Sequence, residues 1–361
     1  MQKLQETINK IKEIDHSLAQ KTQKRLDNLT KPQGSLGRLE ELAKQVVEIT
    51  GNVNPPTKFK VIFTLAGDHG VVKEGVSVFP QEVTPQMVYN FTGGGAGINV
   101  LARHVGAKVV VVDMGVASDL NSHPGLIIKK VNYGTKNMAE GPAMTREEAV
   151  KSIENGIEVF EEEFLNGIDI VGTGDMGIGN TTPSSAIAAC ITGKPAEELV
   201  GRGTGINDQA LSNKIAVIKK ALELNRPNPQ DAIDVLSKVG GFEIGGLAGV
   251  ILASASRRVP IVIDGFISGA AALIAYQLEP KIKDYLIAAH CSVEKGHKIV
   301  LEHMGLAPIL NLDLRLGEGT GSALAMNIIE AGIKILTQMA TFQSAGVSER
   351  TDKHSGEPVE P

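Results

Sequence analysis

From residue 60 onward, short apolar runs that end in glycine and acid alternate with segments of helical periodicity. Five runs read as strands. Residues 60–66 lead into Gly67-Asp68-His69-Gly70, 108–112 into Asp113-Met114-Gly115, and 168–171 into Gly172-Thr173-Gly174-Asp175. Residues 259–263 lead into Asp264-Gly265, and 309–314 into Arg315-Leu316-Gly317-Glu318-Gly319-Thr320-Gly321. A sixth run, 285–289, ends at His290-Cys291-Ser292. Between the runs, Thr145-Arg146-Glu147-Glu148 is a capping box that opens a helix reaching about 166–167. Further helices are expected over about 208–224, 247–256, 268–277 and 322–341. Strands alternating with helices predict an α/β fold with a doubly wound, mostly parallel sheet and helices on both faces. In such a sheet ligands bind outside the carboxyl ends of the strands, where all the acid-glycine clusters fall.

The first 50 residues differ. Leu4, Ile8, Ile11 and Ile14 recur at helical spacing, as do Leu36, Leu39, Leu42 and Val46, with Pro32 and Gly34 breaking the pattern between them. Residues 52–56 read as a linker, and the polar end of the chain, 346–361, as a disordered tail.

The 361 residues suffice for one large domain or one with a satellite. Forty glycines and no tryptophan leave the core to Val, Ile, Leu and Ala, which suits a sheet covered on both faces. A net charge of -5 offers no basic surface for nucleic acid. The start of the chain has no apolar leader and no apolar run is long enough to span a membrane, so a cytoplasmic enzyme is expected. Cys190 and Cys291 are distant and lie in apolar runs, which suggests neither a disulfide framework nor a cysteine metal site.

The sharpest motif is 172–185, Gly-Thr-Gly-Asp-Met-Gly-Ile-Gly-Asn-Thr-Thr-Pro-Ser-Ser. Thr182 is a natural N-cap and Pro183 a natural first helical residue. The glycines let backbone approach a ligand, and N–H groups at a helix start favour an anion, so a small phosphorylated ligand is expected there. Gly172-x-Gly174-x-x-Gly177 formally matches the dinucleotide fingerprint, but that motif needs the helix to begin inside it and an acid about 20 residues on at a strand end. Glu197 and Glu198 lie in a polar stretch instead. A metal-dependent phosphoesterase built on Asp68, His69, Asp113, Asp264 and His290 lacks His-x-His or Asp-x-Asp spacing. Phosphoribosyl transfer from a diphosphate donor would want two adjacent carboxylates at a strand end to hold Mg²⁺, and no strand ends in such a pair, so a transferase here is expected to use a monophosphate donor and no metal; no cofactor is expected. Gly201-Arg202-Gly203-Thr204-Gly205, with Lys214 about two turns into the next helix, is a second anion cradle or a flexible crossover. Glu318, set between glycines, is either a general base or acid or a charge stabilising the helix that opens at Ser322. The stretch 240–246 reads as a close-packed approach to a helix.

Six motifs in order resemble one family, the nicotinate-nucleotide–dimethylbenzimidazole phosphoribosyltransferases of cobalamin lower-ligand synthesis. They are residues 29–40 (Leu-Thr-Lys-Pro-Gln-Gly-Ser-Leu-Gly-Arg-Leu-Glu), 67–71 (Gly-Asp-His-Gly-Val), 80–84 (Pro-Gln-Glu-Val-Thr), 177–182 (Gly-Ile-Gly-Asn-Thr-Thr), 201–205 and 316–321. The resemblance spans about 20–345. It implies a parallel α/β catalytic domain over 56–324, a small helical domain from 1–55 with about 325–345, and a homodimer. It also implies transfer of phosphoribose from nicotinate mononucleotide to dimethylbenzimidazole or a related azole, giving α-ribazole phosphate and nicotinate. Glu318 matches the family's catalytic base. Gly177, Gly179, Asn180 and Thr181, with Gly203, Gly205 and Lys214, are then expected around the donor's phosphate. Asp264, Ser292 and Gly317 complete the substrate-binding set at the strand ends, and Ser77 and Gln86 are expected in the azole pocket. Position 175 departs from the pattern: it is Asp where the family more often carries Glu, so a contact to ribose or a catalytic water would need compensation.

Overall fold

A computed structural model describes residues 1–348 except 202 and 204–206. Six strands form one sheet: β1 (Lys60–Gly67), β2 (Ala107–Gly115), β3 (Leu126–Ile128), β4 (Ile170–Met176), β5 (Ile261–Ile263) and β6 (Leu286–Ala288). Their order is β3-β2-β1-β4-β5-β6, and every pairing is parallel. The order reverses between β1 and β4, which opens a crevice at their carboxyl ends. Both strands are almost wholly buried, as continuous Val/Ile/Leu runs require in a sheet covered on two faces. No described helix is long and apolar enough to cross a membrane.

Five elements differ from expectation, each for a local reason. Residues 309–314 form no strand. Leu310 makes a single parallel bridge to His290, and the left-handed Asp313 (φ 54°) stops the run from extending. β3 was not legible, because its Leu-Ile-Ile run passes into Lys129-Lys130 and lacks the glycine-acid end that marks the other runs. β4 starts later than 168 and continues through the glycines to Met176, because Gly172 and Gly174 leave room for another segment to lie on the strand. A side chain at Gly174 would collide with the Glu318 carbonyl. The helix after β4 is Thr181–Thr192, capped at Asn180 rather than Thr182, and Pro183 sits at its third position. Asn180 supplies no side-chain cap, and its Nδ2 donates to Asp175 Oδ2 instead. Helix Phe242–Ser256 begins within the glycine-rich stretch, where Gly249 fits against the Ile153 carbonyl of helix Arg146–Phe164. The Thr145 capping box of that last helix is formed as expected.

The described chain divides into two compact units, Met1–Ile14 with Pro56–Ile328, and Asp15–Pro55 with Ile329–Pro361. The first 14 residues thus join the large unit rather than the small one. Helix Gln2–Lys10 buries Leu4 and Thr7, its terminal amine pairs with Glu154 at 2.6 Å, and Lys3 pairs with Glu158. The small unit has its own core of Leu26, Leu29, Ala43, Val47 and Leu336. Within it lies the 29–40 motif, whose Lys31 and Glu40 form a buried ion pair at 2.7 Å. Of the expected tail, Gly346 ends a short helix and 349–361 lie outside the described residues.

Candidate active site

A cavity of about 380 Å³ opens at the carboxyl ends of the strands. Its floor is the segment from Asp175 to Thr181 that leaves β4 and turns into the Thr181–Thr192 helix. The turn depends on Gly179 at φ +85°, a conformation that costs an L side chain energy. Thr84, from the 80–84 motif, fixes it by accepting the Ile178 N–H at 3.1 Å. Beneath Gly177 lies a fully buried pair in which His69 Nε2 meets Glu243 Oε1 at 2.8 Å. Burial works against the charged imidazole, but the Glu243 charge and hydrogen bond leave its pKa raised.

Lys214, on helix Asp208–Asn225, points into the cavity and is 1% exposed. Its Nζ donates to Thr181 Oγ1 at 2.6 Å. Burial lowers its pKa to about 8, against the pull of the Glu294 charge. A buried ammonium with one hydroxyl partner beside an N-terminal helical turn is an anion site with donors to spare. Gly203 lines the same wall, and Arg315 reaches its carbonyl at 3.3 Å.

Three carboxylates converge on the other side. Asp175 lines the cavity, with Oδ2 accepting from Asn180 at 2.9 Å and Oδ1 unpartnered. Burial first, then the Asp264 charge, push its carboxyl well above the usual range. Asp264, at the end of β5, accepts the N–H groups of Gly319 (3.1 Å) and Ser322 (3.0 Å), and burial raises it to about 7. Glu318 has a left-handed backbone (φ 63°). Its N–H donates to the Asp175 carbonyl and its carbonyl accepts from Thr64 Oγ1 at 2.9 Å. Its carboxylate Oε2 accepts the Ile98 N–H at 3.1 Å, and burial lifts its pKa while that bond opposes. Glu318 therefore sits at the N-terminus of helix Gly97–Val105, not of the helix that follows it, which is Thr320–Gln338. A bulky residue held at positive φ by its surroundings is a strained, over-determined position of the kind that marks functional sites.

The structure thus brings Asp175, Gly177, Gly179, Asn180, Thr181, Gly203, Lys214, Ser292, Gly317 and Ser77 to one cavity wall. Asp264 and Glu318 are not themselves lining residues: Asp264 holds the loop through the Gly319 N–H, and Glu318 follows the lining residue Gly317 on that loop. Gln86 is exposed on helix Val83–Thr92 and does not line the cavity, while Gly205 lies outside the described residues. The aromatic beside Ser77 is Phe79, which with Leu316 gives the cavity an exposed apolar rim. Glu294 also lines the wall and was not singled out from sequence, because a glutamate in Val-Glu-Lys-Gly at a helix start looks like a solvated charge.

A phosphoribosyltransferase family model matches residues 11–347. The nicotinate-nucleotide–dimethylbenzimidazole phosphoribosyltransferase of Geobacter sulfurreducens is 62% identical over 346 residues, covering 96% of this chain and 98% of its own. That of Geotalea uraniireducens is 60% identical, covering 97% and 99%. The crystal structure of CobT from Thermus thermophilus superposes with a TM-score of 0.89 at 45% identity, over 92% of this chain and 99% of that one.

Proposed function

The chain belongs to the nicotinate-nucleotide–dimethylbenzimidazole phosphoribosyltransferase family, and from that premise we propose how its own residues transfer phosphoribose from nicotinate mononucleotide to 5,6-dimethylbenzimidazole. The donor's phosphate lies on the Gly177–Thr181 turn, where N–H groups and the Lys214 ammonium offer charge and hydrogen bonds together. The azole stacks on the apolar rim of Phe79 and Leu316, beside Ser77. Glu318 removes the azole N–H proton. The ring's other nitrogen then attacks the anomeric carbon, and the C1′–N bond breaks with its electron pair returning to the pyridine nitrogen. Nicotinate leaves as a neutral ring nitrogen and needs no proton. The products are α-ribazole 5′-phosphate and nicotinate.

The observation that carries this assignment is the clasp on Glu318. Its backbone is fixed at both the N–H and the carbonyl, and among the described residues its carboxylate accepts at Oε2 alone, from Ile98. A carboxyl raised by burial is also a better base at neutral pH. Glu318→Gln is expected to lower turnover by about 10²-fold or more while leaving donor affinity, measured by calorimetry, within a few-fold. Wild-type turnover in the variant would remove Glu318 from this role. The dinucleotide alternative finds no support in the sheet. The glycine turn follows β4 rather than the first strand, and Asp264 at the end of β5 lies far beyond the spacing of about 20 residues and is occupied with the Gly319 and Ser322 N–H groups. The enzyme acts in the cytoplasm as a homodimer, an assignment supported by family membership.

A further inference from the structure

We propose that Glu294 reads the ribose hydroxyls of the donor and sets the enzyme's preference for a ribonucleotide over a deoxyribonucleotide. The inference rests on the transferase assignment above. Glu294 occupies the N-cap position of helix Lys295–Met304, yet its side chain makes no cap hydrogen bond. It is 7% exposed and lines the cavity. Its Oε2 has no hydrogen-bond partner, and no ion pair reaches it among the described residues. The Gly201 backbone passes so close to the carboxylate that a side chain there would collide with it, which holds the group in place. A buried carboxylate left with an empty acceptor is costly unless something supplies a donor.

The chemistry of the donor says what that something is. At neutral pH the phosphate and the nicotinate carboxylate of nicotinate mononucleotide are anions, which accept hydrogen bonds and repel a carboxylate. Its remaining donors are the 2′- and 3′-hydroxyls. The same cavity offers both kinds of group, with Lys214, Arg315 and the Gly177–Thr181 turn as donors for the phosphate and Glu294 as an acceptor. Ser292 cannot take over the task easily, since its hydroxyl already donates to the Leu314 carbonyl (3.1 Å) and accepts the Glu294 N–H (3.3 Å). A site built to bond a hydroxyl rejects the analogue that lacks it, because its own polar group is then left unpaired.

The test compares kcat/KM for nicotinate mononucleotide with its 2′-deoxy and 3′-deoxy analogues, in wild type, Glu294→Gln and Glu294→Asp. Wild type is expected to lose about 10²-fold or more with at least one analogue. In Glu294→Gln that discrimination should shrink to less than about tenfold, with donor KM raised and acceptor KM unchanged, and Glu294→Asp should fall between the two. The proposal is overturned if wild type uses both analogues nearly as well as the ribonucleotide, a result that needs no variant to fold. It is equally overturned if Glu294→Gln raises KM for all three donors alike, the behaviour of a mere charge partner for Lys214. A wild type that releases no nicotinate from any of the three would instead bring down the transferase assignment itself.

Discussion

Asp175, Asp264 and Glu318 bring three carboxyl groups together, and burial resolves their mutual repulsion by favouring the protonated form of Asp175. Asp175→Asn removes the charge that burial and Asp264 disfavour and keeps an oxygen that can accept from Asn180, so turnover should stay within about fivefold of wild type. Asp175→Ala strips Asn180 of its partner and should cost tenfold or more, the equivalent of a lost buried hydrogen bond of about 1.4 kcal/mol. Initial rates on the two variants check this. Asn180 donates to the Asp175 carboxylate and ties it to the turn. Lys214 gives a second expectation. Its ammonium is lost as pH rises through about 8, and with it the attraction for phosphate. Donor KM should therefore be flat below pH 7 and rise above 8, and a Lys214→Gln variant should show a high KM without that inflection. Glu318 and Lys214 were legible because a carboxylate between glycines and a lysine behind a glycine loop stand out locally. Glu294 was not, since its burial comes from Gly201, distant in sequence.

Glycine spacing decides how the elements meet. The loop carrying Glu318 lies on β4 because Gly174 has no side chain, so Gly174→Ala should displace the base and reduce kcat as severely as Glu318→Gln, with little change in circular dichroism. Gly249→Ala pushes helix Phe242–Ser256 off the Ile153 carbonyl. It should instead lower stability by about 1–3 kcal/mol in urea titration, with turnover of the folded protein unaffected. Sequence periodicity placed the long strands and helices well, because burial on both faces leaves an unbroken apolar run. It failed where a run lacks a glycine-acid end, as in β3, and where glycine serves close packing inside an element. The glycines of 172–174 and 242–246 look like loop residues and lie in a strand and a helix. An apolar run at 309–314 looked like a strand, but no register condition in the sequence alone reveals that it makes only one bridge.

For the molecule as a whole, the strand order puts the crevice between β1 and β4, and the motifs at 67–71 and 177–182 both begin at the carboxyl ends of those strands. The 29–40 motif belongs to the small unit, where Lys31 and Glu40 pair in a buried setting. Breaking that pair by Lys31→Met should cost roughly 3–5 kcal/mol of stability, seen as an earlier denaturation transition. A homodimer should appear in light scattering at twice the 38.2 kDa of one chain. The most direct measurement is chromatographic: nicotinate and α-ribazole 5′-phosphate formed from nicotinate mononucleotide, with and without dimethylbenzimidazole. The two products should appear in equal amounts, only when the azole is present. Nicotinate released at the same rate without the azole would mean that water is the acceptor, and would contradict the transfer proposed for this site.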